Sequence, residues 1–216
     1  MPFGFPRQRP ALDPAWRPAG SGLASGLLTR GGASRKAIEG AEAALGVSLP
    51  KSLADFFEQA DAAEGWVAGD YLAMWPMEEL ANLNRLARVA EFGPGLVAIA
   101  TNGGMEGFFF DTAKGGFLSS PMIGLGYIES TAIGGTFDEL LAWLASENPT
   151  SGEALVADPT RFGFVVHEVT PVLFGGSPTD PENKTLVPLA KFAELVGWWN
   201  AQVGNANSPD LGRRRS

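Results

Sequence analysis

Lys36–Asp61, KAIEGAEAALGVSLPKSLADFFEQAD, decides the fold. Ile38, Ala41 and Leu45 recur at helical spacing, and Ser34 stands where a helix N-cap is wanted. Gly46 supplies the left-handed residue that ends a helix, with Val47 free to pack back on the turn just left. Leu49-Pro50 restarts the chain, because proline is tolerated at the start of a helix but not in its interior. Leu53, Phe56, Phe57 and Ala60 then give a second helix one apolar face. The pattern predicts two helices joined by a sharp break. Nothing in it marks an active centre.

Working outward, Gly69-Asp70 predicts a turn before a strand at Tyr71–Trp75, and a helix is expected from about Met77 with Leu80 and Leu83 inward. Gly93-Pro94-Gly95 stops that helix. Leu96–Ala100 and Phe108–Asp111 read as an antiparallel pair with one buried side, joined through the turn-forming Asn102-Gly103. Lys114–Gly126 holds room for another short strand. Thr136-x-x-Glu139 is a capping box opening a helix with Phe137, Leu140, Leu141 and Leu144 inward. Further on, Phe162–Val166 and Val169–Phe174 are strand-like and suit a hairpin, and Phe192, Leu195, Val196 and Trp199 predict a last amphipathic helix that leaves Trp198 as an exposed contact.

The order of these stretches resembles the SUKH superfamily, which includes the fungal Smi/Knr cell-wall regulators and many bacterial immunity proteins. The resemblance rests on the helical pair with Gly46-Val47 and Leu49-Pro50, then Tyr71–Pro76, Met77–Leu80, Val97–Ala100, Phe108–Asp111 and Thr136–Leu141. It spans residues 34–147. Asp61–Gly65 departs from the Asn-Gly-Gly that often follows the second helix, and the pattern does not account for residues 151–205. The expected architecture is α+β: a small, mostly antiparallel sheet covered by helices, with residues 148–205 as a strand–helix extension packed on it. Residues 1–33, rich in proline, glycine and arginine, and residues 206–216 are expected to be flexible tails.

Composition narrows the function. The 216 residues contain no cysteine and one histidine, His167, which removes disulfides, thiolate chemistry and a His-rich zinc site. His167 reads as a structural residue, since no nucleophile motif accompanies it. The glycine pairs at 103–104 and 115–116 lack the Lys-Ser/Thr of a phosphate loop. No cofactor is expected. No apolar run reaches the roughly 18 residues of a membrane span, no signal peptide is evident, and the expected location is the cytoplasm.

Charge is unevenly spread. The whole chain carries −8, but positions 37–212 hold 23 acidic residues against seven basic ones, or −16. Such a body repels nucleic acid and speeds encounter with basic proteins. With the resemblance, this implies a non-enzymatic immunity protein that occludes a basic toxin domain of nuclease or deaminase class. Asp61, Glu64, Asp70, Glu78, Glu79 and Glu106, on loops and element ends, are the expected contacts. Two other readings stand beside it: a regulatory scaffold of the fungal type, and a glycan-acting enzyme built on carboxylates such as Glu79 and Glu106.

Overall fold

The computed structural model describes residues 16–146 and 161–206. Residues 1–15, 147–160 and 207–216 lie outside it, and with them nearly all of the predicted C-terminal tail. The architecture is α+β, with an eight-stranded antiparallel sheet, a separate two-stranded sheet and six α-helices among the described residues. None of these helices is long and apolar enough to cross a membrane.

The helical pair forms as its sequence dictates. In α1 (Arg35–Leu45) the Ser34 hydroxyl accepts from the Ala37 amide at 3.1 Å, and Gly46 closes the helix at φ 70°. The Glu42 carboxylate accepts from the Leu49 amide at 2.7 Å, fixing the break before α2 (Lys51–Gln59). Helix α2 buries Leu53, Ala54 and Phe57. The capping box also forms: Glu139 accepts from the Thr136 amide at 2.9 Å while the Thr136 hydroxyl accepts from the Glu139 amide at 3.2 Å, opening α5 (Phe137–Ser146). Phe137 of α5 stacks on Phe56 of α2, with ring centres 4.6 Å apart, and on Phe117.

The eight strands follow chain order as a meander: β1 (Arg17–Pro18), β2 (Leu27–Thr29), β3 (Glu64–Val67), β4 (Asp70–Met74), β5 (Leu96–Thr101), β6 (Glu106–Asp111), β7 (Gly116–Pro121) and β8 (Thr131–Gly134). Between β4 and β5 run α3 (Leu80–Leu86) and the short α4 (Val89–Phe92). Strands β5 and β6 are buried on both faces, not on one as their sequence predicts, since every residue after the first of each is buried. Ile99 is the extra residue of a bulge, because Ala98 faces Phe109 and Ala100 faces Phe108. Beside it Asn84 of α3 grips β5, donating to Ala98 O at 2.9 Å and accepting from Ala98 N at 2.8 Å.

Two expectations change. The stretch 1–33 is not wholly without structure, since β1 and β2 extend the sheet and Leu27 and Thr29 are fully buried. Here glycine marks close packing, for a Cβ at Gly26 would lie 2.0 Å from the Trp66 carbonyl oxygen. The second change concerns β9 (Phe164–Glu168). It pairs with β10 (Lys184–Pro188), not with Val169–Phe174, which makes a 3-10 turn at Val172–Phe174. Pro171 has no amide hydrogen to give a ladder, and Glu168 instead accepts from the Val172 amide at 3.0 Å, bending the chain away.

The last helix, α6 (Leu189–Ala206), lies against α3 and carries the two-stranded sheet. Phe192 is fully buried and meets His167 of β9 edge to face. Asn200, also fully buried, accepts from Gly124 N at 2.7 Å and donates to Met122 O at 2.8 Å. The extension is thus bonded into the turn that follows β7.

Candidate functional site

The six carboxylates expected to form a surface separate into groups. Asp61 is committed to the fold: it accepts from the Ala62 and Met77 amides, each at 2.9 Å, and joins the end of α2 to the approach of α3. Burial raises its pKa, and the charge of Glu78 adds to the rise. Glu78 and Glu79 are exposed just before α3. Glu64, Asp70 and Glu106 lie on β3, β4 and β6, and the register sets Glu64 on the opposite face of the sheet from Asp70 and Glu106.

Glu64 is not on a loop. It opens β3 and is only 6% exposed. Its carboxylate accepts from the Tyr71 hydroxyl at 2.9 Å and, across to the extension, from the Gly163 amide at 3.2 Å. Burial outweighs both bonds and pushes its pKa up to about 7. Glu106 opens β6, accepts from the buried Ser119 hydroxyl, and has its pKa raised by burial and by the nearby charge of Asp70. Between them the β5–β6 turn is held by Asn102, whose side chain accepts from the Gly104 amide at 3.0 Å and the Glu106 amide at 3.2 Å. Gly103 sits at φ 74° in this turn, where its lack of a side chain leaves room for the Tyr71 ring.

Strand β9 docks on this turn, its Val166 amide donating to Gly103 O at 2.9 Å. The alternation of a strand then divides its side chains. Val165 and His167 turn inward and are buried, whereas Phe164 and Val166 stay exposed. On β10, Leu186 stands directly opposite Val166 and is 44% exposed. Lys184 stands opposite Glu168 and pairs with it at 2.6 Å. Two clefts meet along this face, sharing Asn102, Gly104 and Val166 as their common wall. One, of about 310 Å³, runs beside Glu64, Trp66, Tyr71 and Arg161. The other, of about 480 Å³, runs beside Glu106, Ile128, Val172 and Leu173.

Both clefts set apolar side chains beside charges of both signs: Glu64 and Arg161 line the first, and Glu106, Glu168 and Lys184 line the second. A larger cleft of about 640 Å³ lies between α1 and the α3–α4 corner, but its Arg88 is already paired with Glu91 at 2.6 Å. Among the described residues no three carboxylates or histidines stand close enough to hold a metal ion.

Sequence reasoning finds Glu64, Asp70 and Glu106 by charge but misses Phe164, Val166 and Leu186. The alternation of Phe164 and Val166 with the inward Val165 and His167 is the signal that could have found two of them. Trp198 is 54% exposed and rests on Trp199, which in turn packs against Phe174.

Against known proteins, the model of the SMI1 / KNR4 family (SUKH-1) matches residues 32–143. No curated protein matches the chain.

Proposed function

The chain belongs to the SMI1 / KNR4 family (SUKH-1), and on that footing we propose that it is a non-enzymatic protein-binding module that neutralises a basic toxin domain by direct contact. The observation that carries this reading is the net charge of −16 over positions 37–212, together with Glu106, which lies close enough to Asp70 for that charge to raise its pKa and which lines one of the two clefts that meet at the Asn102–Gly104 turn. Carboxylates so placed attract a cationic surface evolved for nucleic acid and stand in for its phosphates. Glu78 and Glu79, exposed before α3, extend the negative field, whereas Asp61 is held within the fold by the Ala62 and Met77 amides. A nuclease or deaminase is the partner class that fits this charge.

The test is a tagged pull-down from the native host, washed at low and then high salt, with the eluted proteins identified by mass spectrometry. One stoichiometric basic partner, toxic when made alone and silenced by co-expression, is the expected result. Several weak partners without toxicity would instead favour a regulatory scaffold. Reversing Asp70 and Glu106 together to lysine should slow association and flatten its salt dependence. An unchanged salt dependence would remove the electrostatic part of the proposal.

A further inference from the structure

Exposed apolar side chains are concentrated in one place. Of the ten large ones among the described residues, six lie between Phe164 and Leu186, and a seventh, Ile128, lines the same cleft as Val172 and Leu173. Scattered singly they would need no explanation, but a contiguous apolar face is the mark of an interface. Its centre is the cross-strand pair Val166–Leu186, with Phe164 beside it on the outward side. The charges around it are of both signs, and Lys184 and Glu168 already satisfy each other at 2.6 Å. Charge therefore does not select the occupant.

The point at which the chain enters the described structure does select it. Trp16 sits edge to face on Phe162, with ring centres 4.6 Å apart, and the Arg30 guanidinium lies 4.7 Å from the centre of the Trp16 ring. Trp16 and Phe164 line one cleft of about 300 Å³, and Phe164 also lines the cleft that holds Val166 and Leu186. Residues 1–15 are thus tied to the end of the apolar face. They carry Phe3 and Phe5, and Pro6 disfavours a helical turn at Phe5. In an extended Phe3-Gly4-Phe5 both rings point to one side, as a docking contact on a strand face requires. Phe5 is eleven positions before Trp16, a reach of up to roughly 36 Å. Two residues of a strand such as Phe164 and Val166 stand only about 7 Å apart. Residues 147–160 end at the same cleft, at Arg161, but their large apolar residues, Leu155 and Val156, are adjacent, and an extended chain sends them to opposite sides.

We propose that Phe3–Phe5 of the same chain docks on the outward face of β9–β10, its two rings against Phe164, Val166 and Leu186, as a cover that a protein partner displaces. The inference does not depend on what that partner is. Tethering holds the segment at a roughly millimolar effective concentration, so a weak contact suffices, and a partner that buries the whole face outcompetes it.

The chain has no cysteine, so Gln8→Cys takes a single nitroxide label beside the segment and leaves Phe3 and Phe5 in place. The label should broaden the methyl resonances of Val166 and Leu186 more than those of the rest of the chain, and Phe3→Ser/Phe5→Ser in the labelled chain should relieve that broadening. Broadening without preference for these two methyls overturns the inference. So does a preference that survives the double substitution, since the tether alone would then produce it. Mixing the nitroxide-labelled chain with an isotope-labelled, nitroxide-free chain checks that the contact is made within one molecule. Broadening passed between chains would give the face to a second copy and overturn the inference. A partner captured by pull-down should bind the Phe3→Ser/Phe5→Ser variant roughly two- to ten-fold more tightly than the native chain, because no fraction of the face is covered. Equal binding removes the cover and leaves the toxin-binding reading standing.

Discussion

The two sheets of this protein treat their apolar residues in opposite ways. In β5 and β6 every residue after the first is buried, and in β6 phenylalanine follows phenylalanine. In β9 the burial alternates, and across the ladder β10 leaves Leu186 to solvent. The core accounts for each apolar side chain in the first pair. It does not account for Phe164, Val166 or Leu186. The more hydrophobic sheet is therefore the structural one, and the less hydrophobic sheet carries the surface with work left to do. Truncations in the two places should separate stability from binding.

The largest effect belongs to the first sheet. Phe108 of β6 is 1% exposed and faces Trp143 of α5, with ring centres 6.3 Å apart. Phe108→Ala leaves a cavity between sheet and helix and should cost about 3–5 kcal/mol, read by urea denaturation. A loss near that of a surface substitution would mean that the helix collapses onto the gap, and would weaken the contrast between the sheets.

Next comes the joint between them. Asn84 and Asn200 do the same job at two sites: each uses both ends of its amide to satisfy a buried backbone donor and a buried backbone acceptor. Asn200→Ala orphans Gly124 N and Met122 O and should cost roughly 2–4 kcal/mol. Hydrogen exchange sharpens the test. If the extension opens as a unit, amides of β9 will exchange faster while those of β5 and β6 keep their protection. Uniform acceleration would show that the two sheets unfold together.

Much of the body was legible because its signals are local. Ser34 caps α1, Gly46 ends it, and Thr136 with Glu139 opens α5, each through contacts within a few residues. Strands β1 and β2 were not legible, because the neighbouring Gly26 reports close backbone approach to β3 and not a turn. Strand β10 holds lysine and proline in five residues, and only its register with β9 makes it a strand. The candidate site was half legible. Charge picked out Glu64 and Glu106, but no local signal says that Glu64 is buried against a tyrosine and against residue 163, ninety-nine positions on.

That burial gives a pH test of how the extension is held. In the folded chain Glu64 gives up its proton near pH 7, whereas unfolded it does so near 4.5. The folded state therefore binds the proton more tightly, and stability falls as pH rises from about 4.5 to about 7, then levels off. Glu64→Gln keeps an acceptor for the Gly163 amide and a donor for Tyr71 but cannot ionise. It should be more stable than the native chain at pH 8, by something on the order of 2–3 kcal/mol, and equal to it near pH 4. His167, whose pKa burial lowers, acts in the opposite sense by losing stability on protonation as pH falls, but it is present in both chains and cancels from the difference. A difference that does not grow with pH would mean that Glu64 is not held out of water as its position indicates.

The smallest effect is the most telling. Leu186→Ser removes an apolar side chain that is 44% exposed and touches solvent on its outward side. Surface substitutions of this kind change stability by less than about 0.5 kcal/mol, so the melting curve should barely move. Binding of the captured partner should weaken all the same, mainly through faster dissociation, because the lost contact lies at the centre of the exposed apolar face. Asp70→Asn should do the reverse, slowing association and leaving dissociation nearly unchanged. If Leu186→Ser instead destabilised the fold as Phe108→Ala does, β10 would be part of the core after all, and the two sheets would differ in degree and not in kind.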